Sequence, residues 1–498
     1  MTRLNSLIRS LTVDEQTRFK NYLQNKNRRG DTKNIELFNL LLNSELSNQT
    51  IFESLYTPNK RGAYHALRKR LHDSLIEFIA HENLENENSL ESGIIKLIVA
   101  ARSLFFKKQY KTAYLVLEKA EKLAQENLLY PLLAEVHHTQ IQYAYCNPEI
   151  NLTELIQNSD LNLKQYILEE KLNHIYAQLR LIVNQTRESQ LHSFPQLIEN
   201  QLNKHNISIE NDLSFKSLYQ LSTLASLAAY TTKDYNSIES FLTNCYQKIK
   251  QQTNRFSQSF YHIQVLYQLA NMYFRNKKFQ QAFSFLDSMH QEMLSNSKKH
   301  YKTFLLKHQN LLALCYNYTN QNSLAIEIAQ DNISKKHPDS EITLDVKLCL
   351  SMYYFHKEDF KSSLKTINSL YHSDNWYRKK TNEEWIIKKN LIELLIHIEL
   401  DNFNLVESRL LSFKRKHFSY LKEQHQNRVI TFILLIEEYY LINNNIVTTE
   451  LTEKIKTSFE FKEARLEDIF VMSFYSWLKS KITNSNTYTT TLDMIKNC

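Results

Sequence analysis

The residues whose types could support chemistry are the adjacent histidines His137-His138, the glutamate pairs Glu383-Glu384 and Glu437-Glu438, and five cysteines. Neighbouring helical side chains diverge by about 100°, so His137 and His138 cannot face one metal. No other His, Cys or carboxylate group has metal-ligand spacing. The glutamate pairs are expected on solvated helical faces, and Ser, His and Asp are too common to define a triad. There is no GxxxxGK[ST], GxGxxG or HExxH, and three glycines in 498 residues argue against a phosphate-cradling loop. The chain therefore reads as non-enzymatic, with no catalytic residue, metal or cofactor.

The densest charge lies in "TPNKRGAYHALRKRLHDSLIEFI", residues 57–79. Tyr64, Leu67, Leu71, Leu75 and Phe78 form an apolar stripe at helical spacing. Beside it run Arg61, His65, Arg68 and His72, with Lys69 and Arg70 nearby. A basic face free for phosphates and base edges is what a recognition helix needs, so Arg61, His65, Arg68, Lys69 and His72 are candidate nucleic-acid-binding residues. An ordinary solvated flank has the same composition, and that reading takes precedence over DNA.

Composition fixes the class. Three Gly and five Pro cannot supply the tight turns of a large β or α/β protein, so the chain must be nearly all helix. The N-terminus lacks a signal-peptide pattern, apolar runs such as "FILLI" fall short of the roughly 20 residues that cross a bilayer, and the scattered cysteines read as reduced thiols. A cytoplasmic protein is expected, and its Asn, Lys, Ile and Tyr bias suggests an A/T-rich bacterial genome. Residues 1–80 carry 13 Lys and Arg against 8 Asp and Glu, whereas the remaining 418 carry 48 against 45. The expected layout is a basic helical module over 1–80, with a capping box at Thr12 and Glu15. An acidic linker over 81–93, a helical body over 94–480 and a tail over 481–498 follow.

The body contains a repeat. "YQLANMYFRNKKFQQAFSFLDSM" carries Leu269-Ala270, Tyr273, Phe279 and Ala282; later segments repeat the spacing with Leu312-Ala313, Tyr316, Asn322, Ala325 and with Leu350-Ser351, Tyr354, Phe360, Ser363. These segments resemble tetratricopeptide repeats, with turn anchors at Tyr235, Phe279, Asn322, Phe360, Phe403 and Asn445. Tyr110 marks a further unit upstream, and degenerate helical pairs are expected between Tyr110 and Tyr235. The period exceeds the usual one of about 34 residues, and the family's glycine is replaced. The resemblance implies an all-α, right-handed solenoid of helix pairs, each burying its apolar face on its neighbours.

Family groove positions fall on Tyr267, Asn271, Phe274, Arg275, Lys307, Asn310, Asn317, Tyr318, Phe355 and His356. Phe274 and Tyr318 are expected as apolar anchors of a bound peptide. Arg275 and Lys307 are expected to face solvent and pair its carboxylates; Tyr273 is expected in the core. Asn271 and Lys307 resemble two positions of the carboxylate clamp of chaperone-binding members, and the other clamp positions do not match. The layout is similar to peptide-responsive regulators of the Gram-positive quorum-sensing class, which bind a short peptide in the solenoid and thereby alter a helical N-terminal domain. The leading expectation is a cytoplasmic adaptor that binds a protein or peptide segment and no membrane. A transcriptional regulator with a DNA-binding N-terminal module is the second.

Overall fold

The structure, a computed structural model, describes residues 3–11, 13–26, 32–42, 47–86, 90–185, 194–207, 213–251, 258–334, 340–424, 426–442, 447–459 and 467–496. Among them all regular structure is helical and no strand occurs. No described helix is long and apolar enough to cross a membrane. The chain divides into two compact units, 1–166 and 167–498.

In the first unit α1 (Arg3–Ser10), α2 (Val13–Lys26), α3 (Thr32–Leu42), α4 (Asn48–Leu55) and α5 (Arg61–Asn86) share one core. Ser47 caps α4 by accepting the Thr50 N–H. The expected stripe on α5 is buried, with Leu67, Leu71 and Leu75 fully inaccessible. A second core joins α6 (Leu90–Phe106), α7 (Tyr110–Glu126) and α8 (Tyr130–Gln142). The expected linker is largely helix: residues 81–86 complete α5 and 90–93 open α6. Residues 87–89 and Thr12 of the expected capping box lie outside the described residues. The expected boundary at 81–93 therefore differs from the observed division at 166/167, and α6–α8 belong with the first unit. Helix α9 (Leu152–Gln185) is a single 34-residue helix where degenerate pairs were expected.

The second unit contains α10 (Phe194–Lys204), α11 (Phe215–Thr232) and α12 (Glu239–Gln251). The clearest antiparallel pairs follow: α13 (Ser259–Arg275) with α14 (Phe279–Leu294), α15 (Tyr301–Asn317) with α16 (Asn322–Ser334), and α17 (Ser340–His356) with α18 (Phe360–Asn368). After short α19 (Asp374–Arg378) come α20 (Glu383–Glu399) and α21 (Phe403–Glu423), then α22 (Asn427–Glu437), α23 (Thr449–Phe459), α24 (Ile469–Thr483) and α25 (Thr487–Lys496). Each pair packs on the next. The small residues of the repeat, Ala270 and Ala282, Ala313 and Ala325, and Ser351 and Ser363, are all buried. The Ser351 and Ser363 hydroxyls lie 2.9 Å apart, bonding one pair where the others pack methyl groups.

The repeat spacing has a backbone cause. At the end of α13 the Lys278 N–H bonds the Tyr273 carbonyl at 2.9 Å and the Lys277 N–H bonds that of Phe274 at 3.0 Å, with Lys277 at φ 60°. This is a Schellman turn, which satisfies terminal carbonyls by placing one residue in the left-handed region. The 6→1 bond recurs from Gln109 to Leu104, Gln321 to Tyr316, Asp359 to Tyr354 and Asn402 to His397. The left-handed residues are Lys108, Asn320, Glu358 and Asp401, each two positions before the first residue of the second helix. Lacking glycine, the chain accepts about 1 kcal/mol of steric cost at each non-glycine position. Anchors Tyr110, Phe279, Asn322, Phe360 and Phe403 all open their helices. At Tyr235 the turn is longer and α12 begins at Glu239; Asn445 lies outside the described residues.

The expected C-terminal tail is instead the end of α24 and all of α25. Asn484 turns the chain at φ 49°, and the Asn486 side chain accepts the Tyr488 and Thr489 N–H groups. Thr490, Thr491, Leu492 and Ile495 are buried. Hydroxyl pairing between Ser476 and Thr491 joins the two helices beside the buried Leu492 and Ile495.

Candidate functional site

Helices α24 and α25 lie across the first helices of successive pairs. Ile469 and Met472 share a core with α13–α15, whereas Phe474, Trp477 and Leu478 join the core of α17–α23. The Tyr318 hydroxyl lies 3.0 Å from that of Ser473, the Tyr488 hydroxyl donates to the Asn317 carbonyl, and Asn486 donates to Glu358 at 2.6 Å. What remains open is a two-lobed cleft. One lobe, of about 310 Å³, is walled by Tyr267 and Asn271 of α13, Asn310 of α15, Asp345 of α17, Trp385 of α20 and Phe470 of α24. The other, of about 360 Å³, lies among α11, α20, α22 and α24. Tyr230, Arg275, Glu384, Lys388 and Phe470 border both lobes.

Capping sets the geometry of α20 and α24. Asn382 accepts the Trp385 N–H at 2.9 Å to start α20. Asp468 accepts the Phe470 and Val471 N–H groups to start α24, and its second oxygen takes the Arg275 guanidinium. Capping thus places Lys388 one turn into α20, in the wall shared by the lobes. Burial opposes ionisation of Asp468, but the positive charges of Arg275, Lys388 and Lys233 hold its carboxyl well below the usual range. Burial works against Arg275 in the same way, and Asp468 outweighs it. Lys233 pairs with Glu384 at 3.0 Å, and Arg428 pairs with Glu467. Lys388 has its ammonium 4.9 Å from the Phe470 ring centre, and burial lowers its pKa.

Six of the ten expected groove residues line the smaller lobe: Tyr267, Asn271, Phe274, Arg275, Asn310 and Tyr318. Their roles differ from expectation. Phe274 and Tyr318 are 1% and 3% exposed, packed on each other and on the core, so they are not free anchors. Arg275 does not face solvent, being held by Asp468 and lying over the Tyr235 ring. Asn317 and His356 are buried and hydrogen-bonded at 3.2 Å, and Asn322 donates to Asn317 at 2.8 Å. Burial drives the His356 pKa down to about 3. Phe355 is core, packed on Phe360. Lys307 is half-buried and borders neither lobe. Tyr273 is buried as expected, stacked on Phe285.

Lys233, Glu384, Lys388, Arg428 and Asp468 were missed because they are far apart in sequence. The signal available for α20 was "TNEEW": an N-cap asparagine followed by two acids, which starts the helix well upstream of the Phe403 anchor. The glutamate pairs are not simply solvated. Glu383 bonds Arg378 and His417 while Glu384 faces the cleft, and Glu437 and Glu438 pair with Lys414 and Lys454. His137 is buried against Glu121, whereas His138 is exposed, as their angular separation requires. Burial pushes the Cys245, Cys315 and Cys349 thiols up to about 12, which disfavours the thiolate a nucleophile needs.

On α5, Arg61, His65, Lys69 and Arg70 are exposed. Arg68 instead donates to the Tyr64 hydroxyl and to Asn5, and His72 lies against Asp73. The candidate nucleic-acid face is smaller than its sequence suggests.

No protein-family model matches the chain, and no match is found among curated proteins. In fold it is similar to a crystal structure of a Rap protein complexed with Competence and Sporulation Factor, with 11% identity and a TM-score of 0.47 over 81% of this chain and 98% of that one.

Proposed function

We propose that the chain is a non-enzymatic cytoplasmic adaptor that captures a peptide or protein segment in the cleft of its second unit. The observation that carries this reading is the cleft wall itself, to which four first helices, α13, α15, α17 and α20, contribute polar and aromatic side chains. Concave sites of this size, mostly apolar with a few placed polar groups, suit small ligands and short peptide segments. The same face already packs a helical segment, α24, through aromatic and hydroxyl contacts. The working residues are then Tyr267, Asn271, Asn310, Lys388 and the Arg275–Asp468 pair.

A library of short peptides bearing a photo-crosslinker tests the reading. Cross-links are expected on α13, α17 and α20; captured peptides that map only to other surfaces would overturn it. A regulator whose basic module binds DNA is the second reading, supported by exposed Arg61, His65, Lys69 and Arg70 on α5. A shift of duplex DNA that weakens steeply with salt would favour it.

A further inference from the structure

The charged groups around the larger lobe do not balance. Lys233, Arg275, Lys388 and Arg428 face Glu384, Asp468 and Glu467, four cations against three carboxylates. Each carboxylate has a cation of its own: Lys233 for Glu384, Arg275 for Asp468 and Arg428 for Glu467. Lys388 is left over: no described residue hydrogen-bonds or ion-pairs with it, the Phe470 ring lies beneath its ammonium, and the carboxylates whose charge reaches it, Asp468 and Glu384, are each already held by another cation. An ammonium drawn out of water without an anion of its own is costly, and this one lies where both lobes meet, the smaller of which adds the carboxylates Glu341 and Asp345 to its wall.

Resting on the capture reading above, we propose that Lys388 receives a single carboxylate of the bound segment: the C-terminal carboxylate of a peptide whose last side chain is large and apolar. The charge count selects a monoanion. One negative charge neutralises Lys388, whereas the second charge of a phosphate would face Glu384 and Asp468 with every other cation engaged. The neighbouring wall selects the side chain, because Ile387 and Leu391 flank Lys388 on α20 and Phe432, Val471 and Phe474 complete an apolar surface in the same lobe. Lys388 makes a point-charge contact, which tolerates variation in carboxylate orientation.

The test uses the full chain and the tetrapeptides acetyl-Ala-Ala-Ala-Phe and acetyl-Ala-Ala-Ala-Leu, each as free acid and as C-terminal amide, titrated by calorimetry. The acids are expected to bind at least about tenfold tighter than the amides, as a desolvated charge-assisted bond allows. Lys388→Gln should abolish that preference, bringing the acids down to the affinity of the amides, and Lys388→Arg should keep most of it. Equal binding of acid and amide by the native chain would overturn the inference, as would a preference that survives in Lys388→Gln. Absence of binding by either form at millimolar concentration, or displacement of the acids by equimolar inorganic phosphate, would also overturn it. Should Lys388→Gln fail to fold, the native acid-against-amide comparison and Lys388→Arg still decide. Equal acid and amide binding with cross-links inside the cleft would sink the carboxylate alone; cross-links outside it would sink the capture reading.

Discussion

The molecule gathers positive charge in two places, and they differ in everything but sign. On α5 the cations are contiguous in sequence, and Arg61, Lys69 and Arg70 stand in solvent. In the cleft they come from positions 233, 275, 388 and 428, brought together by folding, and all but Lys388 are paired with a carboxylate. A charge in water interacts weakly with its neighbours, whereas the same charge in a partly dry cleft interacts strongly and is costly to leave unpaired. Density in sequence is therefore a poor guide to where charge acts.

That contrast breaks most readily at the Arg275–Asp468 pair. Arg275→Ala should cost about 3 kcal/mol or more, because it strands the largely buried Asp468 carboxylate. Arg70→Ala should stay within about 0.5 kcal/mol. Urea melts of the two variants measure both, and equal effects would erase the distinction. The solvent-facing role expected of Arg275 implied no change in melting temperature, so the same experiment measures how far the cleft departs from the sequence reading.

Burial also makes histidine a source of acid sensitivity. The folded chain holds His356 neutral down to about pH 3, while the unfolded chain protonates it near its ordinary value of about 6.5. Its contribution is full above that value and is lost as pH falls from there toward 3, by at most about 1.4 kcal/mol per pH unit. His356→Gln should flatten that part of the pH–stability curve measured by urea melts from pH 7 to 4. An unchanged slope would mean that His356 is not buried neutral.

The smallest expected effect lies in the repeat turns. Lys108→Gly and Asn320→Gly should each raise stability by up to about 1 kcal/mol, since glycine removes the left-handed penalty. Destabilisation by either would place the turn outside that conformation.

These turns explain what was legible in the sequence. A Schellman turn fixes the number of residues between the one whose carbonyl accepts the 6→1 bond and the first residue of the next helix, so Tyr273 to Phe279 and Tyr354 to Phe360 could be read by counting. The class followed from three glycines, and the α5 core stripe from helical periodicity. The cleft could not be read this way. Lys388 lies upstream of the Phe403 anchor, Asp468 caps a helix outside the recognised repeats, and the buried face of α25 mixes Thr490 and Thr491 with Leu492 and Ile495, which dilutes its hydrophobic period. At the expected groove positions Tyr318 and His356, α24 and α25 bring Ser473 and Tyr488 against the ring. Local pattern shows which face turns inward; only the fold shows what already covers it.

The most direct measurement sets the two basic regions against each other with one captured peptide acid. Its affinity should fall about tenfold or more in Lys388→Gln and stay unchanged in a chain carrying Arg61→Gln, Lys69→Gln and Arg70→Gln together. The reverse pattern, an intact affinity in Lys388→Gln and a loss in the α5 triple variant, would contradict the account and move the binding surface to the first unit.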